Sequence, residues 1–270
     1  MNYGSLLVER NENARINDME IYEMSFSPTG GTRRVADVLA AAWSDNVCQI
    51  DLAAPHFKVD VTFSEDDVVL MAVPSYAGRV PALAVERIRT MEGNNARAVL
   101  LCVYGNRAYE DTLLELSDVV EALHFRVVAA VAVIAEHSIV RHYGAGRPDA
   151  DDKELLEVFA GKIERKLLNG DFTPLSLPGN RPYKPLKNAA IVPMPQADCN
   201  ACGWCAKQCP VQAIDLLHPD VVNADKCMGC MRCVAYCPRS ARKIPAEKYA
   251  FLDNMLQKVA TERKTAELFC

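Results

Sequence analysis

The first 170 or so residues alternate apolar, strand-like runs with amphipathic patterns of period near 3.6, the signatures of strand and helix. Ile21 to Phe26 reads as a strand, followed by a helix from about Thr32 that lines up Val35, Val38, Leu39 and Ala42. Val47 to Leu52 and Val68 to Val73 read as strands, and Pro81 suits the first turn of a helix bearing Leu83, Val85 and Ile88. Val99 to Tyr104 is a further strand, a helix follows through Leu113, Leu116, Val120 and Leu123, and Val127 to Ala135 is the longest apolar run. Asp151 opens a last helix reaching about Leu168. Strands alternating with helices in this way predict an α/β domain, a doubly wound parallel sheet of five strands covered on both faces. Cys48 and Cys102 fall inside strand patterns and are expected to be buried core thiols.

The pattern changes at Phe172. Six prolines (174, 178, 182, 185, 193 and 195) occupy residues 172–195, which predicts a stiff linker. From Ala246, helical spacing returns with Tyr249, Leu252, Leu256 and Val259, so residues 246–270 are expected to form a docked helix. The polar residues 1–18 form an N-terminal extension.

The chain has 270 residues, a hydrophobic fraction of 50% and a net charge of −5. That composition is globular, and the acidic balance argues against nucleic acid as a partner. The run from Val127 to Ala135 is well short of the roughly 20 residues of a bilayer span, and the polar start lacks a signal-peptide core. A cytoplasmic protein without a membrane span is expected, and homo-oligomerisation is left open.

Cysteine changes the picture most. Of 11 cysteines, eight fall between Cys199 and Cys237 in two copies of one unit: Cys199, Cys202, Cys205, Cys209, Pro210 and then Cys227, Cys230, Cys233, Cys237, Pro238. Each copy has the spacing C-x2-C-x2-C-x3-C-P of bacterial iron-sulfur ferredoxins. The alternative, structural zinc, shares C-x2-C pairs but has no need of the third cysteine or the proline. The segment resembles a two-cluster 4Fe-4S ferredoxin over roughly residues 196–245, a small α+β domain. In that spacing the fourth cysteine serves the other cluster, so Cys199, Cys202, Cys205 and Cys237 are expected to hold one cluster and Cys227, Cys230, Cys233 and Cys209 the other.

Ser27-Pro28-Thr29-Gly30-Gly31-Thr32 links the first strand to its helix, where hydroxyls, glycines and a helix N-terminus make an anion cradle. It is not a Walker A loop, and by itself it could be a plain helix cap. Two more loops end strands on the same side of the sheet: Pro74-Ser75-Tyr76-Ala77-Gly78-Arg79 and Tyr104-Gly105-Asn106-Arg107-Ala108-Tyr109. With them residues 19–171 resemble a flavodoxin. The resemblance implies that Ser27, Thr29, Gly30, Gly31 and Thr32 hold the FMN phosphate, with Tyr76 inside and Tyr109 outside the isoalloxazine. It also brings Pro74, Ser75, Ala77, Gly78, Tyr104, Gly105 and Asn106 to the cofactor. Ordinary loop aromatics are the competing reading of the tyrosines.

Together the segments resemble flavodoxin-ferredoxin fusion proteins, including Glu136-His137-Ser138 and Gly146-Arg147-Pro148-Asp149. The resemblance implies an electron-transfer protein with FMN and two 4Fe-4S clusters, working with redox protein donors or acceptors. A flavin-dependent reductase of a quinone-like acceptor is the alternative, and a cluster-based redox sensor is a third. The loop holding Glu136, His137, Arg141, His142 and Arg147 is either near the flavin or a set of charged cap residues.

Overall fold

The computed structural model describes residues 16, 19–186 and 191–270. The N-terminal extension therefore falls outside the described residues, apart from Ile16. Five parallel strands form the frame: β1 (Ile21–Ser25), β2 (Val47–Asp51), β3 (Val68–Pro74), β4 (Arg97–Tyr104) and β5 (Arg126–Ile134). The helices between and after them are α1 (Gly31–Ala41), α2 (Ala82–Ile88), α3 (Thr112–Glu121) and α4 (Ala150–Leu168).

Strand order is β2-β1-β3-β4-β5, the flavodoxin-like order of a doubly wound sheet. Alternate residues of each strand feed opposite cores. Val69, Met71 and Val73 of β3 join Ala84, Ile88, Leu113 and Leu116 of α2 and α3. Val68, Leu70 and Ala72 join Val35, Leu39, Phe159 and Ile163 of α1 and α4. In β5 both Val128 and Ala129 lie on the α1/α4 side, because the register with β4 slips between Ala98 and Val99. That bulge restores the alternation for the rest of the strand.

Three sequence expectations are corrected. The sheet has six strands, because residues near the C-terminus return as β8 (Glu267–Phe269), antiparallel to β5, with Val131 opposite Leu268. The helix expected over 246–270 ends early: α7 spans Ala246–Leu256, and Tyr249 and Val259 of its supposed apolar stripe are exposed. The open edge of β5 supplies the competing force, since its backbone groups need partners that a continued helix would not give. Cys48 is exposed because β2 is an edge strand, whereas Cys102 is buried, its thiol pushed upward by desolvation.

The proline-rich segment is pinned along α3. Asp111 accepts from the backbone N–H of Asn180 (2.9 Å) and of Lys184 (2.6 Å), and Arg79 donates to the Lys184 carbonyl at 2.5 Å. Arg181 and Tyr183 both bond Asp118. A second small sheet, β6 (Met194–Pro195) with β7 (Arg242–Lys243), closes the cysteine-rich segment around α5 (Trp204–Lys207) and α6 (Arg232–Ala235).

Candidate functional site

Strand order reverses across β1 and β3, so the loops leaving their carboxyl ends diverge and open a crevice. Gly30 caps α1 at φ 85°, a left-handed conformation for which glycine is suited. No side chain caps this helix from Gly30, so N–H groups of its first turn and the positive end of its dipole suit an anion. Ser27 Oγ accepts from Arg33 N at 2.9 Å and fixes the loop, and Thr32 is buried beneath it. A Cβ on Gly30 would lie 2.8 Å from Tyr236 Oη and 3.6 Å from the Arg34 guanidinium. Those two side chains border the cradle, and the sequence reading missed both.

The loop after β3 is closed by reciprocal backbone bonds between Tyr76 and Arg79, at 2.9 and 3.1 Å. Ala77 and Gly78 take positive φ, and a Cβ on Gly78 would overlap Glu110. Ser75 is held by Thr112 Oγ1 at 2.8 Å. Tyr76 is half-buried, and its phenol is pushed well above its ordinary value, chiefly by desolvation.

The loop after β4 is bound up with the C-terminal segment. Tyr104 is buried in the α2/α3 core, and Tyr109 packs on it at 5.2 Å and 57°. The Tyr109 hydroxyl donates to Glu267 of β8 at 2.8 Å. Asn106, at φ 64°, gives both amide bonds to the carbonyls of Ala260 (2.6 Å) and Glu262 (2.8 Å). Lys264 Nζ caps the Arg107 carbonyl. The structure thus commits the Asn106 amide and the Tyr109 hydroxyl to the tail; only the Tyr109 ring and the loop backbone are left to face a ligand.

His137 lies against Gly105, whose Cβ would come within 2.4 Å of the imidazole. Burial, with the Arg107 charge second, pulls its pKa down to about 4. The ring is therefore neutral near pH 7. Its Nδ1 accepts from Ile139 N and Val140 N at 3.2 and 3.0 Å, which leaves the proton on Nε2. The remainder of this loop carries structure: Arg147 pairs with Asp152 in the cap of α4, and Val140 and Tyr143 receive Leu256 of α7.

The eight clustered cysteines surround two cavities, each about 380 Å³ with the solvent space at its mouth included. One is lined by Cys199, Cys202, Cys205 and Cys237, the other by Cys209, Cys227, Cys230 and Cys233. The two copies of the repeat fold alike: residues 28 apart share left-handed backbone at Ala201 and Gly229, Gly203 and Met231, Gln212 and Ser240. Backbone N–H groups of Ala213 and Ala241 donate to Cys209 Sγ and Cys237 Sγ, both at 3.3 Å. Zinc needs its donors within about 2.3 Å of one point. Among the described residues no three His, Cys, Asp or Glu side chains converge in that way; the thiols line larger voids. Desolvation pushes the Cys230 thiol up to about 11 and Cys233 up to about 12, so thiolates here call for a bound cation to offset burial.

The second cavity lies against the sheet domain, at the end of β2 and at α2. Arg87, buried on α2, donates to Leu52 O at 2.5 Å and to Pro210 O at 3.1 Å. Arg232 donates to Ala53 O at 3.3 Å and stands 3.8 Å from Asp51, and Met228 packs on the α2/α3 core. Pro210, Met228 and Arg232 all line the second cavity, so its wall is also the contact with the sheet domain.

A family model described as a 4Fe-4S dicluster domain matches residues 192–242. Polyferredoxin protein MvhB of Methanothermobacter marburgensis is 45% identical over 47 residues, which are 17% of this chain and 11% of that one. Its counterpart in Methanothermobacter thermautotrophicus is 43% identical over the same length. The chain thus spans about a tenth of these relatives' length. Among solved structures, a short-chain flavodoxin associated with a non-canonical PDU bacterial microcompartment overlaps 55% of this chain and 99% of its own, with TM-score 0.42 and 15% identity. Rubredoxin oxygen:oxidoreductase of Desulfovibrio gigas overlaps 55% of this chain and 36% of its own, with TM-score 0.41 and 18% identity. The strand order and the dicluster match define two parts: a sheet domain of flavodoxin-like topology and, after it, a segment similar to 4Fe-4S dicluster domains. No helix among the described residues is long and apolar enough to cross a membrane.

Proposed function

We propose that the protein is an electron carrier that binds FMN in the crevice between the loops after β1 and β3 and holds two 4Fe-4S clusters in the cysteine cavities. Cys199, Cys202, Cys205 and Cys237 hold the first cluster; Cys227, Cys230, Cys233 and Cys209 hold the second. The observation that carries this reading is the contact of the cysteine-rich segment with the sheet domain: Pro210 and Arg232, which line the second cavity, bond Arg87 and the Ala53 carbonyl, and the Tyr236 hydroxyl lies over Gly30. Redox centres bound on the two sides of that contact would exchange electrons without a diffusing partner.

Ser27, Thr29, Gly30, Gly31 and Thr32 receive the phosphate, with α1 supplying N–H donors. Tyr76 and the Tyr109 ring flank the isoalloxazine, and Pro74, Ser75, Ala77, Gly78, Tyr104, Gly105 and Asn106 shape its edge, mostly through backbone. FMN takes up one or two electrons, whereas each cluster passes one, so the pairing converts between the two kinds of traffic. Partners are redox proteins that dock where the first cavity meets solvent, at the exposed Cys199 and Cys202.

The test is anaerobic purification with quantification of flavin, iron and sulfide, followed by rapid mixing with a one-electron reductant. The expected result is one flavin and eight irons per chain, with cluster and flavin absorbance changing in sequence. Clusters that reduce while bound flavin stays oxidised would refute the carrier reading.

A further inference from the structure

The two copies of the cysteine repeat agree in backbone and differ in charge at one buried position. Residue 214 of the first copy corresponds to residue 242 of the second, each following an alanine whose N–H bonds a cysteine sulfur. Ile214 lines the second cavity and Arg242 lines the first. The arginine is 3% exposed. Its Nη1 donates to Pro219 O at 2.8 Å and to Cys205 Sγ at 3.3 Å, and its Nε and Nη2 are buried with no partner among the described residues.

A buried guanidinium normally stands against a carboxylate, because an unpaired charge in a low dielectric is costly. Among the described residues no Asp or Glu lies within ion-pair distance of Arg242. The anion closest at hand is the thiolate of Cys205. Adding an electron to a cluster adds negative charge, so a fixed cation in contact with a ligand sulfur favours the reduced form, as does a hydrogen bond to that sulfur.

The second cavity has an arginine of its own, Arg232, and the comparison turns on what each one faces. Arg232 is turned to the sheet domain, with Asp51 at 3.8 Å to offset its charge and the Ala53 carbonyl at 3.3 Å. Arg242 has no such offset. Its charge also reaches Cys227 and Cys233, where it partly counters desolvation, but its direct contact is with the first set.

We propose that Arg242 is a charge-tuning residue that makes the cluster of Cys199, Cys202, Cys205 and Cys237 the easier of the two to reduce. The inference rests on the two-cluster reading above. At equilibrium a single electron then rests on the first cluster, beside the exposed Cys199 and Cys202, and the second cluster is the relay.

The test is an EPR-monitored potentiometric titration of the holoprotein beside Arg242→Ile, which copies the first repeat, and Arg242→Lys, which keeps the charge. In Arg242→Ile the first cluster should lose at least about ten-fold in its reduction equilibrium, about 59 mV for a one-electron couple. Arg242→Lys should keep most of the wild-type value. Unchanged potentials in Arg242→Ile, with iron content intact, would overturn the proposal. A second measurement needs no variant: in half-reduced wild-type protein, paramagnetic NMR of the cysteine β-protons should place the electron on the set containing Cys205. Finding it on the set containing Cys230 overturns the proposal as well. A wild-type protein with fewer than eight irons per chain would instead refute the two-cluster reading beneath it.

Discussion

Replacing Asn106 by glycine isolates the coupling between the tail and the flavin-side loop. Asn106 is 4% exposed, and its amide bonds two carbonyls 154 and 156 residues away, at 2.6 and 2.8 Å. Glycine accepts the native φ of 64° without strain, so backbone cost drops out of the comparison. Two lost hydrogen bonds are worth about 1 kcal/mol each, and two carbonyls left dry would add to this. Against them stands the loss of Asn106 Oδ1, itself buried and unpartnered. The net expectation is about 2 kcal/mol, or roughly thirty-fold more frequent opening of the tail. Asn106→Asp should cost more, because both carboxylate oxygens would face the carbonyls of Ala260 and Glu262. The assay is native-state amide exchange, comparing Glu267–Phe269 with β3. Faster exchange in β8 with β3 unchanged is the signature of a local opening. Equal acceleration in both, or none in β8, would refute the view that this side chain holds the tail.

Three more outcomes follow from the site. Cys209→Ser should remove the cluster lined by Cys227, Cys230 and Cys233 although Cys209 lies in the first run, while Cys48→Ser and Cys102→Ser leave iron unchanged; iron and sulfide assays with EPR decide it. Gly30→Ala combines a left-handed φ of 85° with a 2.8 Å approach to Tyr236 Oη, and should weaken flavin binding about ten-fold, a cost of about 1.4 kcal/mol, in a fluorescence titration. His137 binds its proton less well in the folded chain, its pKa lowered to about 4 from 6.5. The unfolded chain then holds more protons in that window, so this residue's contribution is present above pH 6.5 and is lost as pH falls toward 4, by at most about 3 kcal/mol. Denaturant midpoints across that range should show a shallower fall in His137→Gln than in wild type.

Elements with a strong local signal were legible in the sequence. The continuous apolar runs of β3 and β4, the helix after Gly31 and the paired cysteine runs each declare themselves within about ten residues, because their partners lie on both faces of a sheet or around one cluster. What escaped notice depends on distant partners. Nothing near Glu267 announces that it will lie opposite Ala132, and nothing near Asn106 names the carbonyl of Ala260. Arg87, which no local pattern marks, is buried because Leu52 O and Pro210 O, the latter 123 residues away, supply its acceptors. Arg242 was the missed residue with a usable signal. Aligning the two repeats sets it against Ile214, and a charge opposite an apolar core position marks either a surface or a buried counter-ion.

The path of the chain explains how two small domains keep one orientation. The cysteine-rich segment is entered from a proline strap bonded to Asp111 and Asp118 on α3, and it is left through α7, which packs on Val140 and Tyr143. The tail then closes on β5. Both ends of the module are therefore anchored to the sheet domain, one along α3 and the other at the loop after β5. An insert tethered at both ends samples far fewer positions than one on a single linker, so the entropic cost of docking is largely met by the fold itself. The contacts across the seam can then be few: Arg87, Arg232 and the Gln212–His56 pair are enough to set direction. Loosening either tether should separate the second cavity from Tyr76 before it unfolds either domain, and electron exchange within the chain would be the first property lost.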